Sequence, residues 1–319
     1  MVVGVREGVP LVLIQAVHLL DRITPQQKIH VQTSGRWSTT DPPLTQMPER
    51  IRDVVCADPG FPWVKYDFDQ IEPRLNAALS GDKASLECFA NNWDYHTLNT
   101  CDFLELTRPG DLVDPHRGAA AQEWRDKYGW MGKGDIRRKF GKQFALRLDY
   151  GGEPKSAGDV PGAKQMGLGA DALTRSANAF LMAHPEKARY RAYLKELAAR
   201  VRIVRTFLGR RRLLHGEARE IIREAFNHPL QGGVTDIFNL LLIYIRATVP
   251  HIRWVIGCHD SMTWRIPEAY FEQAVIHIYE ILQTPWPIRD MTGTSRWVVF
   301  PATFDKGYGY EVLKARGWA

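Results

Sequence analysis

The run Trp63-Val64-Lys65-Tyr66-Asp67-Phe68 leads directly into Asp69-Gln70-Ile71-Glu72-Pro73-Arg74, and this junction decides the reading of the fold. The first six residues alternate as a short strand does, and Gln70 to Ser80 continues as a helix closed at Gly81. Pro73 falls in the helix's first turn, where a missing N–H costs little. Further on, Arg253 to Cys258 and Met262 to Ile266 read as two strands flanking His259-Asp260-Ser261, a hairpin with a tight turn. Asp135 is placed to N-cap a helix from Ile136 to about Tyr150, closed by Gly151-Gly152. Lys187 to Val204 reads as helical, and Glu217 to Phe226 and Gln231 to Ile245 as two helices separated by an Asn227-His228-Pro229 break. Helices mixed with hairpin-linked strands predict an α+β fold, with a mainly antiparallel sheet carrying helices on one face.

The 319 residues allow one large domain or two entwined ones, and 45% hydrophobic with 24% charged residues is a globular composition that can bury a core. Collagenous, low-complexity and wholly disordered readings are excluded. The longest apolar stretch, Val9 to Leu20, is interrupted by Pro10, Gln15 and His18 and is too short and polar to span a bilayer. It lacks the basic lead and small-residue cleavage site of a signal peptide, so a soluble cytoplasmic protein without a membrane partner is the expectation. Cys56, Cys88, Cys101 and Cys258 form no CxxC pair and read as reduced thiols. The net charge is +6. Ten cations (Lys187, Arg189, Arg191, Lys195, Arg200, Arg202, Arg205, Arg210, Arg211, Arg212) face one acid, Glu196, between residues 187 and 212. That imbalance points either to a polyanionic partner or to an unusually basic surface. Thr107 to Asp135, crowded with Pro and Gly, reads as a long irregular connection between two helical parts.

Asp67 ends an apolar strand, where a carboxylate is costly unless it meets a cation or a donor, and Asp260 lies in a turn beside apolar strands. Each alone reads as a turn or cap residue. Brought together by a sheet, the two would suit a hard divalent cation, since Mg²⁺ is held by one or two carboxylates plus substrate phosphates. Arg138, Lys142, Leu146 and Tyr150 recur every four residues and form one slowly winding helical stripe. Two cations, an apolar residue and a ring suit a nucleotide; a solvated basic face with a buried Tyr suits the same pattern. Arg36 and Gln231 have donors that can reach groove acceptors of a duplex.

In order, these pieces resemble the DNA polymerases of family A, the bacterial DNA polymerase I type. Asp67-Phe68-Asp69-Gln70-Ile71-Glu72-Pro73-Arg74 resembles their motif A, D-Y-S-Q-I-E-L-R. Arg138, Lys142 and Tyr150-Gly151 resemble motif B on the fingers helix, and His259-Asp260-Ser261 resembles motif C, usually H-D-E. Ser34-Gly35-Arg36-Trp37-Ser38 through Asp41-Pro42 to Pro48, Asp94-Tyr95-His96-Thr97, Gly209-Arg210-Arg211-Arg212, and Asn227-His228-Pro229-Leu230-Gln231-Gly232 resemble four further signatures. The resemblance implies residues 30–82 and 200–319 as a palm, 83–199 as fingers, and 1–29 as an entry helix around Leu11 to Leu20.

The activity it implies is template-directed addition of dNTPs to a primer 3′-OH, with primer–template DNA as partner. Asp67 and Asp260, helped by the Phe68 carbonyl, would hold two Mg²⁺ ions, with Mn²⁺ as a substitute. Arg138, Lys142 and His96 would grip the triphosphate, with Gln70 in the same nucleotide site. Glu72 would crowd the sugar 2′ position, and Tyr150 would close the pocket beside the templating base. Arg36, Arg210, Arg223, Asn227, Gln231 and His259 would touch the primer end and the minor groove.

Ser261 replaces the third carboxylate of motif C, and Leu146 stands where the family has an aromatic ring, which implies a raised KM for dNTP. A thumb and an exonuclease-like domain precede this region in the family. Their absence from the 30 or so residues ahead of the first signature leads to an expectation of low processivity, no proofreading, and dependence on a separate thumb, exonuclease or processivity subunit. Two other readings stand beside this one. One is a primer–template-binding remnant that does not extend, or a subunit of a split polymerase. The other is a related RNA polymerase or reverse transcriptase, against which Glu72 counts.

Overall fold

The computed structural model describes residues 26–28, 36–41, 43–46, 57–106, 131–132, 134–156, 158, 160–258, 260–305 and 308–317. Outside them lie the helix expected around Leu11 to Leu20, Ser34-Gly35, Pro42, Pro48, most of the 107–135 connection and His259. In chain order the elements begin with β1 (Gln26–Lys28), β2 (Ser38–Thr40), β3 (Trp63–Phe68), α1 (Ile71–Ser80), α2 (Lys83–Ala90), α3 (Tyr95–Leu104) and α4 (Ile136–Asp149). They continue with α5 (Ala170–Ala183), α6 (Pro185–Glu196), β4 (Ile203–Arg205), β5 (Arg211–Leu213), α7 (Ala218–Asn227) and α8 (Gly233–Thr248). The last are β6 (Arg253–Cys258), β7 (Ser261–Arg265), α9 (Phe271–Leu282), β8 (Trp286–Arg289), β9 (Ser295–Val298), β10 (Ala302–Phe304) and α10 (Tyr308–Ala315). This is the α+β fold expected, with every strand pairing antiparallel.

Two compact units share the chain. The first is Met1–Ile71, Thr235–Pro285 and Val299–Ala319; the second is Glu72–Val234 and Trp286–Val298.

In the first unit a four-stranded sheet has the order β10-β3-β7-β6. Alternation along β3 turns Val64, Tyr66 and Phe68 inward and leaves Lys65 and Asp67 on the other face. Phe68 meets Phe238 of α8 edge-on at 5.4 Å, and Phe304 of β10 lies 6.3 Å from Tyr279 of α9. Both helices therefore cover the Tyr66 face. β7 is buried along nearly its whole length, with Trp264 fully enclosed. A register shift in β6, where Trp254 faces Trp264 but Ile256 faces Thr263, makes a β-bulge at Val255, whose carbonyl accepts from Gln27 Nε2 at 3.2 Å.

In the second unit the core gathers Phe103, Phe140, Phe144, Leu148, Leu173 and Phe180 from α3, α4 and α5. Phe103 and Phe180 stack at 4.3 Å. Gly141 allows α4 to lie close on α3, because a Cβ there would sit 2.0 Å from Thr100 Oγ1. Gly151, at φ +78°, ends the α4 region in the left-handed conformation. Two hairpins, β4–β5 and β8–β9, complete the unit.

Three sequence expectations need correction. The helix read as running to Val204 ends earlier: α6 passes into a π turn over Leu197–Val201, Arg202 turns left-handed at φ 55°, and Val204 lies in β4 opposite Arg212. The supposed break at Asn227-His228-Pro229 is instead a π turn, His228–Gly232, joining α7 to α8 without a gap. A proline removes one N–H, and the wider i→i+5 turn accommodates it without ending the helix. β7 also starts one residue earlier than read, at Ser261, so the turn holds only His259 and Asp260.

Candidate active site

In the first unit, Asp67 pairs across the ladder with Ser261 on one side and Thr303 on the other. The Phe68 N–H donates to the Asp260 carbonyl at 3.0 Å, which fixes the hairpin turn at the end of β3. Two adjacent strand ends thereby present both carboxylates. Burial raises the Asp67 carboxyl above its ordinary range, and the Asp260 charge adds to this. Asp305 and Asp69 push the same way, with Lys65 opposing them. Arg36 Nη2 lies 3.6 Å from Asp260 Oδ1, so the structure sets against a carboxylate the side chain that the sequence assigned to the primer end. Gln70 occupies the strand-to-helix corner at φ 54°, left-handed for a residue with a side chain, and its Oε1 is buried.

Carboxylate oxygens crowded by like charge are the donor set a hard divalent cation takes. Among the described residues, no group of three or more His, Cys, Asp or Glu side chains forms a metal cage. A pair completed by substrate oxygens is therefore the arrangement these residues fit, with Ser261, buried opposite Asp67, where the family has its third acid.

The second unit holds the remaining predicted residues apart from His259, which lies outside the described residues. Tyr150, just past α4, donates its hydroxyl to Glu72 at 2.5 Å, joining α4 to the first turn of α1. Arg138 makes a two-point ion pair with Asp94, Nε to Oδ2 at 2.8 Å and Nη2 to Oδ1 at 2.9 Å. Asp94 is the N-cap of α3, in whose first turn His96 is buried. Lys142 is exposed one turn beyond Arg138, and Leu146 is half-buried a further turn on. Arg210 is tied to the π turn: its Nη2 donates to the Gly232 carbonyl at 2.9 Å, and His228 Nε2 lies 3.0 Å from its own carbonyl. Arg223 is exposed on α7, while Asn227 and Gln231 are half-buried.

The basic run is not one face. Lys187 is 2% exposed, with its ammonium 2.7 Å from the Tyr95 hydroxyl and 3.4 Å from Asp149. Burial opposes its charge, yet Asp149, Tyr95 and Asp82 together raise its pKa. Arg191 sits over the Phe226 ring at 5.3 Å, Lys195 pairs with Glu153, and Arg200 with Glu196. The partnership of Asp94 with Arg138 was not read from the sequence; the available signal was an Asp at a helix start two residues before His96. Cys88 and Cys101 are buried free thiols, as expected.

The sequence profile of DNA polymerase family A matches residues 11–289, most of the chain. The chain belongs to DNA polymerase family A. Relatives include the thermostable DNA polymerase I of Thermus thermophilus, 25% identical over 297 residues, and that of Thermus filiformis, 27% identical over 296; each match covers 89% of this chain and 31% of the relative. DNA polymerase I of Mycobacterium bovis is 26% identical over 321 residues, covering 93% of this chain and 31% of the relative. The chain thus spans about a third of the length of these polymerases. In fold it is similar to the POL domain of Pol1 from M. smegmatis, solved in complex with DNA primer-template and dNTP. The TM-score is 0.73 at 20% identity, over 94% of this chain and 50% of the other. Among the described residues, no helix is long and apolar enough to cross a membrane.

Proposed function

We propose that this family A chain is a template-directed DNA polymerase that extends a primer 3′-OH with dNTPs. The observation that carries the reading is the meeting of Asp67 and Asp260 at adjacent strand ends, where burial and mutual repulsion hold Asp67's pKa up. Two carboxylates held side by side at strand ends are what is expected where a cation belongs. Mg²⁺ held by Asp67 and Asp260, with the Phe68 carbonyl, would make the 3′-OH more acidic and offset charge on the triphosphate, and Mn²⁺ would serve in its place.

Among the chain's own residues, Arg138 and Lys142 neutralise the triphosphate oxygens, with His96 beside them. Phosphoryl transfer asks little covalent work of a protein, so positioning and electrostatics carry the rate. Glu72, tied to Tyr150, presents a filled position to the sugar, where a 2′-OH would compete for the same acceptor. Gln70 at its left-handed corner, together with Leu146, shapes the nucleotide's surroundings. Arg36, Arg210, Arg223, Asn227, Gln231 and His259 contact primer–template DNA. The subdomains of this reading are a palm over 30–82 and 200–319 and fingers over 83–199.

The test is primer extension by the purified chain with dNTPs and Mg²⁺ at low salt, beside Asp67→Ala and Asp260→Ala. Extension lost in both variants supports the reading. Primer–template binding without extension in the wild-type chain would favour a binding-only role or a subunit that needs a partner.

A further inference from the structure

We propose that Asp94 is a positioning residue that sets the two triphosphate-binding groups, Arg138 and His96, from a single carboxylate. The inference rests on the proposed function in taking a triphosphate as the ligand. Asp94 is 1% exposed, and donors from two helices reach its carboxylate. Its Oδ1 accepts from the His96 backbone N–H at 3.1 Å and from Arg138 Nη2 at 2.9 Å. Its Oδ2 accepts from Thr97 Oγ1 at 2.7 Å and from Arg138 Nε at 2.8 Å. Asp94 thus starts α3, which carries His96, and clamps the fork of Arg138 on α4, a contact spanning 44 residues of sequence. The closeness that Gly141 allows between α3 and α4 brings the carboxylate within reach.

The pairing has a cost that separates orientation from charge. Asp94 cancels much of the Arg138 charge as seen from a distance, so an anion gains little long-range attraction from the pair. What the pair supplies is direction. With Nε and one Nη2 hydrogen engaged by Asp94, the planar guanidinium cannot swing, and its remaining donors point along a fixed edge. Long-range attraction then falls to the exposed Lys142. If Asp94 mattered only as a charge, removing it would tighten anion binding. If it positions Arg138, removing it weakens binding although the site becomes more positive.

Opposite signs make the experiment decisive. Sodium tripolyphosphate is titrated calorimetrically into the full chain as wild type, D94N, R138A, D94N/R138A and R138K, with each variant's melting curve recorded. Positioning predicts about tenfold weaker binding for D94N, no further loss in D94N/R138A relative to R138A, and R138K as weak as D94N because its charge is kept but the fork is lost. Unchanged or tighter binding by D94N, an equal loss on the R138A background, or no tripolyphosphate binding by the wild type overturns it. R138K leaves the Asp94 cap intact, so if D94N fails to fold, R138K binding like wild type is the overturning result. Primer extension is scored separately. Absent extension with the binding pattern intact sinks the polymerase reading and leaves Asp94 its role toward a triphosphate.

Discussion

The buried charges of the second unit and Asp67 of the first stand in different surroundings. In the second, charges are buried with their partners: Lys187 with Asp149 and Tyr95, Arg138 with Asp94, and His184 between Asp82 at 2.8 Å and Asp102 at 3.3 Å. Burial works against the Asp82 charge, yet His184, Lys187 and Ser85 hold its pKa down to about 2. In the first unit, Asp67 faces three other carboxylates and one ammonium, and its pKa moves up. Compensated charges build a scaffold, whereas an uncompensated one marks where an outside charge is awaited.

The sharpest way to break this contrast is Asp67→Asn. Primer extension is expected to fall at least about a thousandfold, while the melting temperature changes little, because Asp67 is exposed on its strand. A clear drop in melting temperature would make Asp67 one more scaffold charge. Lys187→Met tests the other side: it strands Asp149 in a buried site and is expected to cost about 3–5 kcal/mol in chemical denaturation. A loss within measurement error would remove the scaffold half of the comparison.

The third test is pH. Asp82 titrates at about 2 in the fold against an ordinary 3.8, so its contribution is present above about pH 4 and is lost as pH falls toward 2. The size of that contribution is about 2 kcal/mol. His184 is raised above its ordinary 6.5: burial pulls it down, but hydrogen bonds to Asp102 and Asp82 outweigh that. Its contribution is therefore present below 6.5 and goes as pH climbs through the raised value. Unfolding followed from pH 2 to 9 should show these terms at their fullest between about 4 and 6.5, with the alkaline limb flattened in His184→Asn. An unaltered alkaline limb in that variant would remove His184 from the network. The smallest effect is at Leu146, where L146F is expected to lower the KM for dNTP about two- to tenfold by restoring a ring; an unchanged KM would count against a stacking role there.

What the sequence disclosed follows the range of the forces involved. β3 and the helix from Ile136 were legible because alternation, an Asp cap and a closing glycine are local signals. The π turn at His228–Gly232 was not, since a proline there reads as a stop until the wider turn is seen. Val204 carries the same ambiguity: its neighbours read as helix, and pairing with β5 decides otherwise. Asp67 and Asp260 were readable only as strand-end carboxylates, with their order among the other signatures supplying the rest. Lys187 counted as one cation in a run, and nothing nearby in sequence announces Asp149 or Tyr95 as its neighbours. Asp94 and Arg138, too, meet only once two helices pack.

The bulge at Val255 has a consequence for inherited change in length. Beyond it, β6 runs one residue ahead of its partner, which is why Cys258 closes on Ser261 with Asp260 in a two-residue turn. Deleting Val255 would remove the extra residue and leave Ile256 opposite Thr263, Gly257 opposite Met262 and Cys258 opposite Ser261, so the Asp260 turn would keep its register. A lineage could lose that position and keep the hairpin's pairing, giving up the local twist of the bulge and the bond from Gln27 to the Val255 carbonyl. In a screen of single-residue deletions, Val255 would score far more mildly than Asp260, one of only two residues in the turn.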